Sequence, residues 1–472
     1  MSDVVEFDFA VIGGGSAGYA AARTAVANGL RTVVIDGAET LGGLCILRGC
    51  MPSKTLIESA NRNLTIRRAA EFGLKAEQGR ADVRAIRDRK RVLIDDFASY
   101  RQGQLADGRF TLLRGTASFA SANELSVQLR DGGNQSIRFK TACIATGSVV
   151  SIPSVPGLRE TGFWTSDDIL DTEQLPETFI VLGGGAIALE MSHYLDGLDH
   201  KVTLIQRSKH LLKFMDSECG EAIAHAISAR GVDVRCGTEL QKVERTPEGR
   251  KRITFSQGGQ THEVEADEIL VATGRAPSTK GLGLHEAGIK TEHEKIAIND
   301  HVQTSLPNVF AAGDVCSPLD VVHIAIQQGE CAASNAAALI RGEALPARMD
   351  YRLSLFGVFS EPQVAGVGMT EAQLAAAGIP FATASYPFND HGKSMVMGEI
   401  EGFVKMIAHR ETGEILGASV VGPHATEIIH GVVVAMQFHS TVKQFMSIPH
   451  YHPTLSEIWT YPAEELVDEL AL

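Results

Sequence analysis

Two cysteines five residues apart, Cys45 and Cys50, lie in the segment Gly43-Leu44-Cys45-Ile46-Leu47-Arg48-Gly49-Cys50-Met51-Pro52-Ser53-Lys54. Thiols this close in sequence can exchange with each other or with a disulfide brought to them. On a straight α-helix their Cα atoms would stand about 8.6 Å apart, after a rise of about 7.5 Å and a turn of about 500°. A disulfide needs roughly 4.4–6.8 Å. A bridge therefore requires a bent or non-helical turn between them, and Gly49 is the residue that could supply it. The alternative is two unlinked buried thiols, the ordinary state of an intracellular chain. The residues just upstream favour a pair that cycles between dithiol and disulfide.

Those upstream residues form a strand, Phe7 to Ile12, then Gly13-Gly14-Gly15-Ser16-Ala17-Gly18, an Ala-rich helix to Gly29, and a second strand, Arg31 to Ile35, ended by Asp36. Gly13 allows a tight turn, Gly15 lets a pyrophosphate approach the backbone, and Gly18 lets the helix pack on the strand. The helix N-terminus favours the phosphates. Asp36 suits the ribose hydroxyls, and the acid about 20 residues on makes this a dinucleotide site.

The pattern recurs. Phe9-Ala10-Val11-Ile12-Gly13-Gly14-Gly15 reappears as Phe179-Ile180-Val181-Leu182-Gly183-Gly184-Gly185. Gly18 corresponds to Ala188, Arg31 to Lys201 and Asp36 to Gln206; Ala145-Thr146-Gly147 is echoed by Ala272-Thr273-Gly274. Two dinucleotide-binding domains are expected; two ligand-free βαβ folds would leave the glycines unexplained. At the second site Gln206 replaces the acid and is followed by Arg207, Lys209, His210 and Lys213. Losing a carboxylate and gaining cations suits a ribose 2′-phosphate, so NADP(H) is expected over NAD(H). The alternative is a solvated basic loop, with Gln206 bonding the ribose of NAD(H).

Elsewhere, Asp82 to Gly103 reads as an exposed amphipathic helix. Strands follow at Phe110–Phe119, Glu124–Leu129 and Ser136–Ile144, and Pro153 and Pro156 mark a linker. Ala311-Ala312-Gly313-Asp314 ends an apolar strand, and Ala325 to Ile340 is helical. From Met349 a separate α+β domain begins, with strands Gly402–Ile407 and Glu414–Val421 and a helix Ala425–His439. The expected domains are 1–150 with 276–347, then 151–275, then 348–472. In the tail Pro449-His450-Tyr451-His452-Pro453-Thr454-Leu455-Ser456-Glu457, a histidine held by a carboxylate is an acid/base arrangement. No further ligand accompanies the two histidines, so no metal site is expected.

The chain has 472 residues, 44% of them hydrophobic, with a net charge of −14 and a pI near 5.6. That balance argues against a nucleic-acid or anionic-membrane partner, which needs a basic face. No apolar run reaches the ~18 residues of a membrane span. Met1 to Glu6 has no basic leader region, so no signal peptide is expected and the compartment is taken as cytoplasmic. Of seven cysteines, the five beyond the pair read as packing residues.

Taken together, the Cys45…Cys50-Met51-Pro52-Ser53-Lys54 segment, both glycine fingerprints, Ala311–Asp314 and His452-Pro453-Thr454…Glu457 resemble the pyridine nucleotide–disulfide oxidoreductases nearly end to end. Within that family the Pro-Ser-Lys and His-Pro-Thr-Leu-Ser-Glu motifs most resemble dihydrolipoamide dehydrogenases. The resemblance implies an α/β fold with two Rossmann-like domains, for FAD and NAD(P), and a C-terminal α+β dimerisation domain. It implies FAD on Gly13, Gly15, Gly18, Asp36, Gly43, Thr146, Gly147 and Asp314, and the nicotinamide nucleotide around Gly183, Gly185, Ala188 and Gly274, with Gln206, Arg207 and Lys213 reading the ribose. Arg207 and Lys213 fall at the six-residue spacing at which glutathione reductases place two arginines for a 2′-phosphate. Cys50 would be the thiol facing the flavin, Cys45 the one exchanging with substrate, and Lys54, paired with Glu190, would lie near the flavin. His452, oriented by Glu457, would be the acid/base, contributed across an obligate homodimer; a lipoyl carrier protein is an implied partner.

The chain also departs from the family. Leu44 and Leu47 replace polar residues in the cysteine loop, and Arg48 inserts a cation placed to stabilise a thiolate or meet an anionic substrate, unless it points to solvent. Mercuric reductases share the first motif but typically add a C-terminal cysteine pair, which the tail Asp468–Leu472 lacks. Two other readings therefore stand beside a dihydrolipoamide dehydrogenase: an NADPH-driven reductase of a small disulfide, metal ion or quinone, and a non-catalytic assembly subunit, against which the retained cysteines, His452 and Glu457 argue.

Overall fold

The glycine fingerprint organises the first part of the fold. The apolar run at the N-terminus forms β1 (Val5–Ile12), the Ala-rich stretch α1 (Ser16–Ala27), and the next apolar run β2 (Thr32–Asp36). The protein is described by a computed structural model covering residues 4–77 and 79–472. Residues 1–3, on which the expected lack of a leader partly rested, lie outside the described residues.

The chain divides into two compact units. The first comprises 1–52, 88–151 and 275–350; the second comprises 53–87, 152–274 and 351–472. In the first, β1 pairs in parallel with β2, with Phe9 opposite Thr32. The cysteine segment follows as a short helix α2 (Leu44–Leu47) and a long one, α3 (Cys50–Arg67), and α4 (Val83–Leu105) comes next. A meander, β3 (Thr111–Ser121), β4 (Glu124–Leu129) and β5 (Asn134–Ile144), returns the chain so that β5 pairs in parallel with β1, Val11 opposite Cys143. The strand Val309–Ala311 extends the sheet beyond β5. Its helix, Val322–Arg341, packs against α1 so closely that a Cβ on Gly329 would meet the Ala17 carbonyl at 2.3 Å.

In the second unit five parallel strands run in the order Asp233–Cys236, Lys201–Gln206, Thr178–Leu182, Glu268–Val271, Trp164–Thr165. Helix Ala186–Gly197 follows the second fingerprint. The C-terminal part is a five-stranded antiparallel sheet with its own core, centred on Phe388, Val404, Met406, Val420 and Trp459. The fold is thus α/β with two Rossmann-like domains and a C-terminal α+β domain, as the fingerprints imply.

Residues 53–87, counted with the first domain on sequence, belong to the second unit. The reason is packing: Leu56, Ile57 and Ala60 of α3 are buried in one core with Ala188, Leu189 and Met191, and a Cβ on Gly197 would lie 2.7 Å from that of Ala60. The helix drawn as Ala425–His439 is two helices, Ala425–Ile428 and His430–Gln437. The Asp82–Gly103 helix is not exposed throughout, since Ile94, Ala98 and even Arg87 and Lys90 are buried.

The second unit also buries a lysine. Lys405 is 2% exposed, and its ammonium bonds Asp216 at 3.0 Å and pairs with Glu218 and Glu371. Among the described residues those three acids are the one group close enough to hold a metal ion, and the ammonium accounts for their convergence. Although burial works against its charge, these three partners raise the lysine's pKa. Lys405→Met would leave the carboxylates to repel one another. We expect a loss of about 3 kcal/mol at neutral pH, the low end for a broken buried pair because Glu218 and Glu371 are 42% and 41% exposed. The loss should shrink as the pH falls through the carboxylate range, where the acids take up protons; urea titrations of both forms at two pH values would measure it.

Candidate active site

Both fingerprints make the same turn. Gly13 has φ +102°, and a Cβ there would meet the Ala145 carbonyl at 2.4 Å; Gly183 has φ +130°, with the Ala272 carbonyl at 2.3 Å. Only glycine takes that conformation without cost and lets the strands approach so closely. The Ala-Thr-Gly echo is therefore structural: each copy supplies the carbonyl against which its fingerprint turns. A Cβ on Gly18 would strike the Gly13 carbonyl at 1.8 Å, so α1 seats on β1 only with glycine there. Its counterpart Ala188 is fully buried.

A bare floor lies beside the α1 N-terminus. Gly43 has φ +77°, a Cβ on it would lie 2.6 Å from the Gly15 Cα, and a Cβ on Gly15 would meet only the Gly43 Cα, at 3.7 Å. Two side-chain-free stretches of backbone here would be filled by any Cβ, which fits a pyrophosphate held on backbone N–H groups. Asp36 accepts the Gly14 N–H at 2.8 Å and the Ala38 N–H at 2.8 Å, which fixes it at the strand end where a ribose would lie. Asp314 accepts the Ser148 hydroxyl at 2.6 Å, and Thr146 donates to the Ser278 carbonyl at 2.7 Å. These residues fit a bound FAD.

The cysteine segment does bend. Helix α2 stops at Leu47, Arg48 takes φ −143°, and α3 begins at Cys50. The break is carried by Arg48. Gly49 contributes close approach, since a Cβ on it would lie 3.0 Å from the Leu44 carbonyl and 3.1 Å from the Cys45 Cα. Arg48 itself is exposed. A different cation, unmarked in the sequence, neighbours Cys45: Arg101 of α4 lies 4.2 Å above the Tyr19 ring, its pKa lowered by burial against the opposing pull of Tyr19 and Cys45.

The other five cysteines are free thiols. Burial pushes Cys143 and Cys219 up to about 12 and Cys331 up to about 11, and it raises Cys236 and Cys316 as well. They are poor nucleophiles. His193 is likewise structural: it is buried on Asn61 at 2.7 Å, and burial holds its pKa down to about 3.

In the second unit, Lys54 lies one turn after Cys50 along α3. Its ammonium donates to both Glu190 oxygens at 2.8 Å, and it lies 4.6 Å above the Phe359 ring. The Phe359 N–H also reaches Glu190, at 3.1 Å. Phe359 thus touches both members of the pair, and Glu190 is only 6% exposed. Phe359 carries no motif and was not foreseen. Gly185 has open space above it, as a bound phosphate requires, while the Gln206 side chain lies across Gly184. Its amide oxygen accepts the Arg207 N–H at 3.1 Å; Arg207, Lys209 and Lys213 are exposed.

In the tail, His452 Nδ1 lies 3.0 and 3.1 Å from the two Glu457 oxygens. The imidazole is 78% exposed and the carboxylate 11%. Nδ1 therefore donates its proton to the carboxylate, which leaves the lone pair on Nε2, the state of a base held in one tautomer.

Paired dinucleotide folds, a bent dithiol segment and an imidazole backed by a buried carboxylate suit two-electron traffic between a nicotinamide and sulfur, the work of a flavoprotein disulfide oxidoreductase. Residues 7–329 match the pyridine nucleotide-disulphide oxidoreductase model and residues 356–463 that family's dimerisation domain. The chain belongs to the pyridine nucleotide-disulphide oxidoreductase family, whose members depend on FAD and use a pyridine nucleotide. It is 34% identical to a dihydrolipoyl dehydrogenase of Thermus scotoductus, over 98% of this chain and 97% of that protein. It is 32% identical to a mercuric reductase of Staphylococcus aureus, over 93% of this chain and 78% of that protein. Among solved structures it resembles a Cu(II) complex of the HOCl-induced flavoprotein disulfide reductase RclA from Escherichia coli, with TM-score 0.83, 25% identity and 99% of both chains covered. Among the described residues no helix is long and apolar enough to cross a membrane.

Proposed function

We propose that the protein is a dihydrolipoamide dehydrogenase-like enzyme that oxidises a lipoyl-type dithiol and reduces NAD(P)+ through a Cys45–Cys50 redox pair. The observation that carries this reading is the His452–Glu457 dyad, an exposed base fixed in one tautomer, in a chain that also bears the cysteine pair. In the cycle, His452 Nε2 takes a proton from one substrate thiol. The resulting thiolate attacks Cys45 Sγ, breaking the Cys45–Cys50 bond and forming a mixed disulfide. The second substrate thiol passes its proton to Cys45 Sγ as it displaces that sulfur, so the substrate leaves as a disulfide, with Cys45 a thiol, Cys50 a thiolate and the other proton on His452. FAD, when bound, supplies the two-electron link between the cysteine pair and the nicotinamide. Lys54, held by Glu190, places a cation within one turn of Cys50, where it favours the thiolate.

A three-domain division at 150/151, 275/276 and 347/348, with residues 53–87 set apart from the first domain, gives each cofactor its own domain and leaves the last to dimerise. We place His452 in the partner's site of a homodimer, and a lipoyl carrier protein as the macromolecular substrate. Five free thiols favour a reducing, cytoplasmic compartment. For the nucleotide we favour NADP(H), on Gln206 in place of an acid and on the exposed Arg207 and Lys213. Gln206→Glu with Arg207→Ala should then move the preference toward NADH by at least about tenfold; an unmoved ratio of kcat/KM values would dispose of the basic-loop reading.

Initial rates of dihydrolipoamide oxidation with NAD+ and with NADP+ test the whole reading. Rapid turnover with either supports it. Negligible turnover with both, from a yellow protein that NADPH reduces, would favour a reductase of a small disulfide, quinone or metal ion. The mercuric reductases at similar identity support the metal version of that second reading.

A further inference from the structure

Glu457 has a second imidazole beside it. His391 is fully buried. Its Nδ1 lies 2.8 Å from the Ser394 hydroxyl, and its Nε2 lies 3.5 Å from Glu457 Oε1. That Nε2 has no made hydrogen bond. The ring meets Phe388 at 6.4 Å and Tyr461 at 6.2 Å, both edge-to-face. Tyr461 stacks on Tyr386 at 4.0 Å, and the Tyr386 hydroxyl donates to Asp390 at 2.9 Å. The titratable groups facing His391 are therefore Glu457, His452, Tyr461, Tyr386 and, through Tyr386, Asp390.

The tautomer follows from these neighbours. Nδ1 accepts the Ser394 hydroxyl proton, so the ring proton sits on Nε2 and is aimed at Glu457. The reverse tautomer would set a bare nitrogen lone pair against a buried carboxylate. A gap of 3.5 Å is longer than a made hydrogen bond, yet between buried atoms the N–H dipole still acts strongly on the charge. Glu457 thus faces two imidazoles. One is exposed and bonded at 3.0 Å; the other is sealed in, and burial lowers its pKa so that it stays neutral.

We propose that His391 is a positioning residue for His452: acting through Glu457, it fixes the carboxylate and sets the proton affinity of the exposed imidazole. The inference rests on the reading of His452 as the acid/base of the proposed reaction. A carboxylate engaged by one buried imidazole gives less of its charge to the other. His391 therefore competes with His452 for the charge of Glu457, 3.5 Å from one ring and 3.0 Å from the other. A merely structural His391 would leave the proton affinity of His452 unmoved.

The test uses the full-length holoenzyme with isotope-labelled imidazole Cε1 groups. Sixteen histidines are few enough to assign by substitution. In His391→Phe, which keeps a ring but removes both nitrogens, the pKa of His452 should rise by at least about half a unit. His391→Gln, which restores a donor toward Glu457, should return it toward the wild-type value. A folded His391→Phe protein with an unmoved His452 overturns the proposal. If His391→Phe does not fold, the converse experiment decides: His452→Ala alters an exposed residue, and coupling through Glu457 requires His391 to become harder to deprotonate. An unmoved His391 then overturns it. The pH profile of turnover separates this inference from its premise. If the His452 pKa rises while the acid limb of turnover stays in place, His391 does tune His452, and it is the assignment of His452 as the base that falls.

Discussion

Cys50→Ser is expected to lower dihydrolipoamide turnover by at least about a thousandfold while the protein keeps its full complement of FAD. Serine oxygen is neither a leaving group nor a nucleophile toward sulfur near neutral pH, so the exchange cycle cannot close. FAD retention follows from where its expected contacts are. The close approach of Gly43 to Gly15, the φ of +102° at Gly13 and the Asp36 hydrogen bonds do not involve the Cys50 sulfur. The variant should stay yellow, with its bound flavin measured by absorbance after denaturation. Persistent lipoamide turnover in a fully flavinylated Cys50→Ser protein would show that the electrons do not pass through this pair. Cys45→Ser should also abolish turnover, so the two variants together test the pair rather than one thiol.

The second large effect is at His452. Replacing it by alanine removes the proton acceptor and should cost about 10²–10⁴-fold in kcat/KM. Glu457→Gln should cost less, because the base remains and only its support changes. The direction of its pH effect is fixed by charge. A carboxylate 3.0 Å from Nδ1 favours the imidazolium. Removing it withdraws that support for the charged ring, so the acid limb of the kcat/KM profile should move to lower pH even as the plateau falls. A Glu457→Gln limb moving to higher pH would contradict the dyad. Stopped-flow reduction of the oxidised enzyme by dihydrolipoamide isolates this step from the rest of turnover.

Much of the architecture could be read along the chain because its cause is local. Gly13, Gly18 and Gly183 of the fingerprints are required by backbone contacts of 1.8–2.4 Å to a hypothetical Cβ, and a requirement that strict leaves a mark in sequence. The repeat from Phe9 to Phe179 told of a second dinucleotide fold for the same reason. The Cys45–Cys50 spacing implied a broken helix because an unbroken one holds its cysteines too far apart, and helix α2 does stop between them. His452 and Glu457 lie five residues apart, so one tight turn brings them together.

What the chain did not disclose depends on contacts between distant segments. His391 is 66 residues from Glu457 in sequence, and it becomes the second imidazole on that carboxylate only when helix Gly392–Met397 packs beside the tail. Phe359 meets Lys54 and Glu190 through a strand end of the C-terminal sheet. Arg101 comes near Cys45 only through the packing of α4. Residues 53–87 left the first unit because the apolar face of α3 found its core against the helix Ala186–Gly197. The sequence by itself determined the two nucleotide folds, the broken helix of the cysteine segment and the histidine–carboxylate dyad, all set by backbone sterics or short loops. Only the tertiary structure decided which side chains surround and tune them, because burial and charge are properties of the neighbourhood that packing creates and no single segment carries.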